Sequence, residues 1–349
     1  MSDEPGKLPM AMWEFVTLVA FFMAVTALSV DIMLPVLPNI VDEFGLQDQN
    51  DQQFMVTVYL IFFAIGQIFC GPISDRFGRK PVVVAGLGLY MAGTLLAIVA
   101  DSYTVLLASR AIQGLGAAAP RIIAVAVVRD RFVGRAMSQV MSFVVTVFIM
   151  LPLIAPALGA GIGSFGSWRY VFGFLFLFGL GTAIWSALRL PETRPDVGHK
   201  PVPLVTAVRT VLANELTVGY MLALGFIFGC LLGYIASTQQ VFADIYGIVD
   251  WFPLAFAIVA AMMVVSSIVN ARLVQRIGMR RISHSAMLAQ GALSVLALLF
   301  SFVVDPLPFP VLMTFLGLSF FFIGLMLPNF NALAMEPLGQ VAGMGSSII

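Results

Sequence analysis

Three charged side chains lie inside long apolar stretches of the chain: Asp31, Arg110 and Arg121. Placing one such charge in the middle of a membrane span costs about 2.5–3.5 kcal/mol on insertion scales. Charges that are kept at this cost usually belong to a functional site, and a carboxyl group among them can take up and release a proton. Asp31 is therefore the first candidate for a proton-carrying residue.

Asp31 and Arg110 are expected at the same depth in the membrane. The stretch with Asp31 leaves the hydrocarbon near Asn39 and the stretch with Arg110 enters it near Tyr103, on the same side. At 1.5 Å per residue, both charges then lie about 10–12 Å below that boundary. We expect Asp31 to be the proton-coupling residue and Arg110 its partner. The alternative is a permanent ion pair that only ties two helices together.

Other polar side chains are candidates for a cavity beside these charges. Arg121 follows Arg110 by about three helical turns, so both lie on one helix face together with Gln113. Arg121 either lines that cavity or extends its guanidinium toward the membrane surface. Polar residues in the second half of the chain are explained nearly as well by hydrogen bonds between helices. The candidate cavity residues are Gln113, Arg121, Tyr234, Thr238, Asn329 and Asn331.

The composition places these residues in a polytopic membrane protein. Apolar residues make up 60% of the 349 residues and charged residues 10%, where a soluble domain has about a quarter charged. The 18 basic and 18 acidic residues cancel, which gives no reason to expect a nucleic acid as a partner. Cys70 and Cys230 lie in apolar stretches without metal-ligand spacing, so we expect no metal and no cofactor.

Ten apolar stretches are long enough to cross about 30 Å of hydrocarbon, and an eleventh begins near Leu338. No small-residue cleavage site follows the first stretch, so we predict a membrane span there and not a removed signal. The sequence therefore predicts an all-α membrane protein. The predicted spans are residues 12–36, 54–74, 82–100, 103–128, 138–162, 168–188, 216–242, 252–274, 283–304 and 310–335.

A segment rich in proline and charge, residues 191–214, divides the spans into two groups. We predict an N-terminal bundle of six helices in residues 1–190. Residues 215–349 are predicted to form a C-terminal bundle with helices 7–10 and the start of helix 11. If the N-terminus and the linker are cytoplasmic, 15 of the 18 basic residues face the cytoplasm. The positive-inside rule predicts this orientation.

The turn between the second and third spans, residues 71–81, holds three cations and one acid within six positions. Such a density of charge cannot lie in hydrocarbon, so the turn is predicted to face the cytoplasm. A weaker copy in residues 271–280 follows 200 residues later and keeps Arg276, Gly278 and Arg280. This spacing indicates an internal repeat.

Several patterns carry a resemblance to a known family. The turn reads G-x-x-x-D-R-x-G-R-K, which resembles the signature loop between helices 2 and 3 of the major facilitator superfamily. Arg110, Gln113 and Gly114 resemble the R-x-x-Q-G pattern of its helix 4. The spans around Asp31 and Asn329 look like those of the Bcr/CflA branch of the drug:proton antiporters. The resemblance covers the whole chain.

The fifth span carries a further pattern of this kind. Its residues Pro152, Ala155, Pro156 and Gly159 resemble the antiporter signature of helix 5. That signature prefers glycine at the positions of Ala155 and Ala160. Alanine is also small enough for a close approach of two helices, so the resemblance still implies close packing here.

The resemblance implies a fold of two pseudo-symmetric bundles with six helices each. The C-terminus of this chain is then expected to be truncated inside helix 11. The implied function is that of a proton-coupled secondary active transporter, which exports hydrophobic drug-like molecules by alternating access. The implied setting is a bacterial inner membrane, with the transporter as a monomer and with protons, substrate and lipid as its partners.

The resemblance also implies a gating role for the turn of residues 71–81. Helix 2 packs near helix 11 in the family fold, so Asp75 is expected beside residues 338–343. The free N–H groups at a helix N-terminus stabilise an anion there. Arg76 or Arg79 is expected close enough to pair with Asp75. The implied gating residues are Gly71, Asp75, Arg76, Gly78, Arg79 and Lys80.

Two alternatives to drug export differ in class. An uptake symporter for a small metabolite is compatible with the same motifs. A membrane-embedded enzyme is disfavoured, because the chain lacks the G-x-S-G, G-x-G-D and H-E-x-x-H patterns. Only one acid lies in mid-membrane, so no catalytic dyad can be assembled.

Overall fold

A computed structural model describes residues 10–46, 48–132, 140, 151, 154–194 and 209–337. Every regular element in these residues is helical. Nine of the helical segments in this part of the chain are long and apolar enough to cross a membrane. The prediction of an all-α polytopic fold is confirmed. The predicted span 138–162 lies largely outside the described residues, and the start of the eleventh span lies wholly outside them.

Eight predicted spans agree with helices α3–α5 and α7–α11 to within four residues at each end. The helices, in chain order, are α1 Met12–Asp31, α2 Leu37–Phe44, α3 Phe54–Phe77, α4 Arg79–Ile98, α5 Tyr103–Arg131, α6 Ile154–Gly163, α7 Arg169–Arg189, α8 Glu215–Asp244, α9 Phe252–Ile277, α10 Met279–Ser301 and α11 Phe309–Met335.

The first predicted span, residues 12–36, is not one continuous helix. Helix α1 ends at Asp31, a 3-10 turn covers Leu34–Val36, and α2 follows at once. Pro35 explains the break, because it has no N–H to donate to the carbonyl four residues earlier. The two helices together still form one apolar segment, Met12–Phe44.

The chain divides into two compact units, Met1–Pro201 and Val202–Ile349, and the division falls inside the predicted linker 191–214. In the first unit α5 packs against both α3 and α4. A Cβ atom on Gly114 would stand 2.3 Å from the carbonyl oxygen of Tyr59, and one on Gly116 would stand 2.2 Å from the amide nitrogen of Tyr90. The approach of α5 to both neighbours therefore requires glycine at these positions.

Helix α7 is tied at both of its ends to the α1–α2 segment. At one end, Glu43 accepts hydrogen bonds from the Trp168 indole (2.6 Å) and from Arg169 (2.5 Å). At the other end, Glu14 accepts from the Trp185 indole (3.2 Å) and from Arg189. The Arg189 guanidinium uses both Nε (2.8 Å) and Nη2 (2.9 Å), so this ion pair is bidentate.

In the second unit, α11 packs against α8, α9 and α10. Its buried apolar side chains meet those of α8 and α10 in one core cluster. A hydrogen bond of 2.7 Å joins Asn329 Nδ2 of α11 to Asn270 Oδ1 of α9. The members of the core cluster are Leu224, Ile282, Ala286, Ile323, Leu325, Met326, Phe330 and Leu333.

The two copies of the charged turn adopt the same backbone conformation. Gly78 between α3 and α4 has φ +101° and ψ +156°, and Gly278 between α9 and α10 has φ +85° and ψ +153°. Residues with a Cβ atom rarely adopt a positive φ, so glycine is required at both turns. This agreement supports the internal repeat predicted from the sequence.

Candidate functional site

Asp31 is the last residue of α1, and only 3% of its surface is exposed. Its Oδ1 atom has no hydrogen-bond partner, and its carboxyl group forms no ion pair, among the residues that the structure describes. The C-terminal end of a helix carries partial negative charge on its free carbonyl groups. Asp31 is therefore a buried acid at a helix end where an added negative charge is unfavourable.

Arg110 of α5 is completely buried and binds backbone and side-chain oxygens of three helices. Its Nη2 donates to the carbonyl of Ser29 in α1 (3.0 Å), and its Nε donates to the carbonyl of Met55 in α3 (3.0 Å). Its Nη1 donates to Oε1 of Gln113. The guanidinium also lies over the ring of Tyr59, 4.4 Å from the ring centroid. Arg110 thus caps the C-terminal end of α1 and is stabilised by it.

The expected ion pair between Asp31 and Arg110 is not formed. Arg110 instead contacts α1 at the carbonyl of Ser29, two residues before Asp31, and the matched membrane depth of the two charges stays a prediction. The prediction of direct pairing is wrong for this structure. Each of the three nitrogens of Arg110 instead donates to a neutral oxygen, one of which is a free carbonyl of the helix end.

A network of buried polar groups extends from this helix end to α4. The Ser29 hydroxyl lies 2.8 Å from the Tyr90 hydroxyl and donates to the carbonyl of Val25 (2.5 Å). The Gln113 amide donates to the Thr94 hydroxyl (2.9 Å), which donates to the carbonyl of Tyr90 (2.8 Å). The α4 members of this network were not predicted from the sequence. The sequence feature that could have identified Tyr90 and Thr94 is a hydroxyl group within an apolar span.

The predicted cavity residues of the first unit have different environments. Gln113 is completely buried, and both ends of its amide are used within the unit. Arg121 is partly exposed, and its Nη1 lies 3.3 Å from the sulfur of Met23. Contact of either residue with a substrate stays a prediction.

The predicted cavity residues of the second unit are dispersed over α8 and α11. The Tyr234 ring is stacked on Phe256 and meets Phe320 edge to face, with centroids 5.7 Å and 4.7 Å away. Thr238 and Asn329 are buried, whereas Asn331 is exposed. Their contact with a substrate also stays a prediction.

The charged turn is organised around Arg79, of which only 4% is exposed. Of the two arginines expected near Asp75, Arg79 forms the ion pair, at 2.6 Å. Arg79 also donates from Nε to Asp130 Oδ2 at the end of α5 (2.9 Å) and from Nη1 to the Ser74 hydroxyl (2.6 Å). Arg76 is exposed beside the ring of Phe77. Arg79 therefore joins α3, α4 and α5.

Glu192, which follows α7, fastens the turn from the other side. Its carboxylate accepts hydrogen bonds from the backbone N–H groups of Arg79 (2.8 Å), Lys80 (3.2 Å), Thr193 (3.0 Å) and Arg194 (3.0 Å). Burial alone would raise the pKa of Glu192, but these four N–H groups outweigh it and hold the pKa below its usual range. From the sequence, this stretch was predicted only to be a linker.

Two further predictions involve residues outside the described part of the chain. The expected contact of Asp75 with residues 338–343 is one, and the position of Pro152 is the other. In the rest of the helix 5 pattern, Ala155, Pro156 and Gly159 are buried. A Cβ atom on Gly159 would stand 1.8 Å from the carbonyl oxygen of Ile32, so α6 approaches the end of α1 as closely as glycine allows.

No group of three or more His, Cys, Asp or Glu side chains in the described residues could hold a metal ion. The chemistry available at the Asp31 end of α1 is therefore that of one buried carboxyl group, a capped helix end and neutral hydroxyl groups. A carboxyl group in such a place can bind and release a proton.

Comparison with known sequences identifies relatives over most of the chain. The Major Facilitator Superfamily model matches residues 19–349. The MFS-type transporter YdgK of Bacillus subtilis (strain 168) is 29% identical over 328 residues, which cover 92% of this chain and 81% of that protein. The bicyclomycin resistance protein homolog of Haemophilus influenzae is 32% identical over 330 residues, with the same coverage. Multidrug resistance protein D of Escherichia coli K12 is 30% identical over 198 residues, which cover 57% of this chain and 50% of that protein.

Solved structures with a similar fold are more distant in sequence. A D-xylose-proton symporter matches with a TM-score of 0.74 at 15% identity, over 97% of this chain and 87% of that one. The human organic anion transporter MFSD10 matches with a TM-score of 0.68 at 18% identity, over 96% of this chain and 89% of that one. At these identities the likeness concerns the fold alone.

Proposed function

Because the chain belongs to the Major Facilitator Superfamily, we propose that it exports hydrophobic drug-like molecules in exchange for protons. The predicted resemblance to the drug:proton antiporter branch is confirmed by relatives named for bicyclomycin and multidrug resistance. The family is one of transporters and not a class of enzymes. The observation that carries the proposal is Asp31, a buried acid of a membrane span without an ion pair among the described residues.

In the proposed mechanism Asp31 is the proton carrier. A protonated carboxyl group is neutral, so it can stay buried at the end of α1 without an added charge. Release of the proton leaves an anion beside the negative end of the helix, a state that requires water or a rearrangement of neighbouring groups. Opening of a cavity to one side of the membrane supplies that water. Proton release is thereby linked to the conformation of the transporter.

Arg110 has a supporting role in this mechanism. Its guanidinium holds the end of α1 against α3 and α5 through the carbonyls of Ser29 and Met55. A movement of α1 relative to α5 therefore changes the environment of Asp31 and of Arg110 together. We also propose a set of side chains as candidates for contact with the substrate. They are Gln113, Arg121, Tyr234, Thr238, Asn329 and Asn331.

The chain is a multi-pass membrane protein, and its bacterial relatives favour the inner membrane. We propose a monomer with a cytoplasmic N-terminus, supported by the distribution of basic residues. A cysteine at position 101, in place of an exposed aspartate, should react with an impermeant maleimide added to intact cells. A cysteine in place of the exposed Arg280 should react only in inverted vesicles. The opposite pattern would reverse the proposed orientation.

The decisive variant for the proposed function is Asp31→Asn, which keeps the shape of the side chain and removes its titration. Efflux of ethidium, a lipophilic cationic dye, and resistance to bicyclomycin are measured in cells without competing exporters. Wild-type efflux should stop when a protonophore is added. Asp31→Asn should remain folded and inserted but lose transport against a gradient.

The matched control is Asp101→Asn, the same acid-to-amide change at an exposed loop position, which should behave like the wild type. Proton-driven efflux by Asp31→Asn at the wild-type rate would show that another group carries the proton. Protonophore-sensitive accumulation of the probe above the level in cells without the transporter would instead indicate an uptake symporter.

A further inference from the structure

The break in the first membrane segment lies immediately after Asp31. The last hydrogen bond of α1 runs from the Ile32 N–H to the carbonyl of Leu28 (3.2 Å). In a continuous helix, the carbonyls of Ser29 and Val30 would accept from residues 33 and 34, two bonds that are also absent from the described residues, and the carbonyl of Asp31 would accept from the N–H of residue 35. Residue 35 is proline and has no N–H, so this bond cannot form.

The next helical bond is also lost. The carbonyl of Ile32 would accept from the N–H of Val36, but that N–H donates to Met33 in the 3-10 turn (3.0 Å). Gly159 of α6 packs directly on the Ile32 carbonyl. The negative end of α1 is thereby fixed at Asp31, and the helix does not continue past the carboxyl group.

Few ionisable groups surround this helix end in the described residues. Helix α5 contributes Arg110, which caps Ser29, and α3 and α4 contribute the buried hydroxyl groups of Tyr59 and Tyr90. Helix α6 presents glycine to α1. From α7, the ring of Phe172 faces the Arg110 guanidinium at 5.9 Å.

We infer that Pro35 is a positioning residue for proton exchange at Asp31, because it ends α1 at the carboxyl group and so places the negative helix end beside it. This inference rests on the proposed role of Asp31 as the proton carrier. On this inference, Pro35 helps to set the pH range of transport although its side chain does not titrate. A helix that continued past Asp31 would move its negative end away from the carboxylate.

The test compares Pro35→Ala with Pro38→Ala in the full chain. Alanine at position 35 restores the missing N–H and favours a continuous helix. Pro38 lies in the first turn of α2, where helices tolerate proline, so its replacement is the matched control. Downhill efflux of ethidium from preloaded proteoliposomes, which does not require transport against a gradient, is measured as a function of pH. The transition due to Asp31 is the one that Asp31→Asn lacks.

In Pro35→Ala the pH midpoint of that transition should move to lower pH by about one unit or less, because an anion at position 31 becomes less unfavourable. Pro38→Ala should keep the wild-type midpoint. Pro35→Gly also restores the N–H, but glycine favours a helix less than alanine does. The midpoint of Pro35→Gly should therefore lie between those of the wild type and Pro35→Ala. If Pro35→Ala is not monodisperse in detergent, Pro35→Gly decides.

Two failures can be distinguished. If Asp31→Asn retains the full pH dependence of the wild type, the role of Asp31 in the proposed function is wrong. If Asp31→Asn abolishes the transition but both Pro35 variants keep the wild-type midpoint, only the inference about Pro35 is overturned. A change in maximal rate without a shift of the midpoint would also overturn it, because a merely structural role for the proline predicts that result.

Discussion

Replacement of Arg110 by lysine separates the charge of this residue from its geometry. The guanidinium donates from three nitrogens to three oxygens in different directions, whereas an ammonium group is a single point of charge. A lysine at this position keeps the positive charge at the end of α1. It can reach only part of the oxygens that Arg110 binds, so the others are left buried without a donor.

The cost of Arg110→Lys follows from the number of lost contacts. A hydrogen bond to a charged group contributes about 1.5–3 kcal/mol, so the loss of two of the three destabilises the fold by about 3–6 kcal/mol. The first unit spans Met1–Pro201, and in folds of this size each kcal/mol lowers the melting temperature by about 2–4 °C. We therefore expect a decrease on the order of 10 °C.

The assay is thermal unfolding of purified protein in detergent, followed by tryptophan fluorescence. The matched control is Arg189→Lys, because Arg189 also forms a multidentate contact but its side chain is 50% exposed. An exposed ion pair contributes only about 0–1 kcal/mol, so this variant should melt close to the wild type. Equal melting temperatures for the two variants would refute the assignment of Arg110 as a buried cap of α1.

Two further predictions concern positions at the edges of the site. Gly159→Ala should destabilise the protein by about 1–3 kcal/mol, because the new methyl group would collide with the carbonyl of Ile32. Gly161→Ala has open space for its methyl group and should melt like the wild type, so equal losses in both variants would contradict this packing. Glu192→Gln should be less stable than the wild type at neutral pH, because the carboxylate that binds four N–H groups is lost. Folding lowers the pKa of Glu192, so the extra stability of the wild type should disappear only as the pH falls through the pKa of the folded protein. If the wild type and Glu192→Gln still melt at different temperatures at low pH, the carboxylate is not the cause of the difference.

The helices were largely predictable because hydropathy and the positions of charge are local properties of the chain. The break after Asp31 could also have been predicted from the sequence, because a proline within a predicted helix removes one hydrogen bond. We predicted one span across residues 12–36 because the apolar run continues without interruption. Hydropathy measures the length of a membrane segment, and it does not report whether the helix within it is continuous.

The partners of Arg110 could not be predicted in the same way. The sequence offers Asp31 as the one acid at matching depth, and opposite charges in a membrane usually pair. Backbone carbonyls carry no signal in the sequence, yet the free carbonyl of Ser29 competes successfully for the guanidinium. Glu192 was missed for a related reason, because its contacts reach the turn more than 110 residues earlier in the chain.

The ties at the two ends of α7 have a consequence for the surrounding lipid. The helix has 21 residues, which correspond to a length of about 30 Å, close to the hydrocarbon thickness of a bilayer. Glu14 and Glu43 bind its indole and guanidinium groups at both ends, so a tilt of α7 independent of α1 and α2 would break these contacts. These contacts oppose tilting of α7, so in a thinner membrane part of the mismatch is met by the acyl chains of the surrounding lipid.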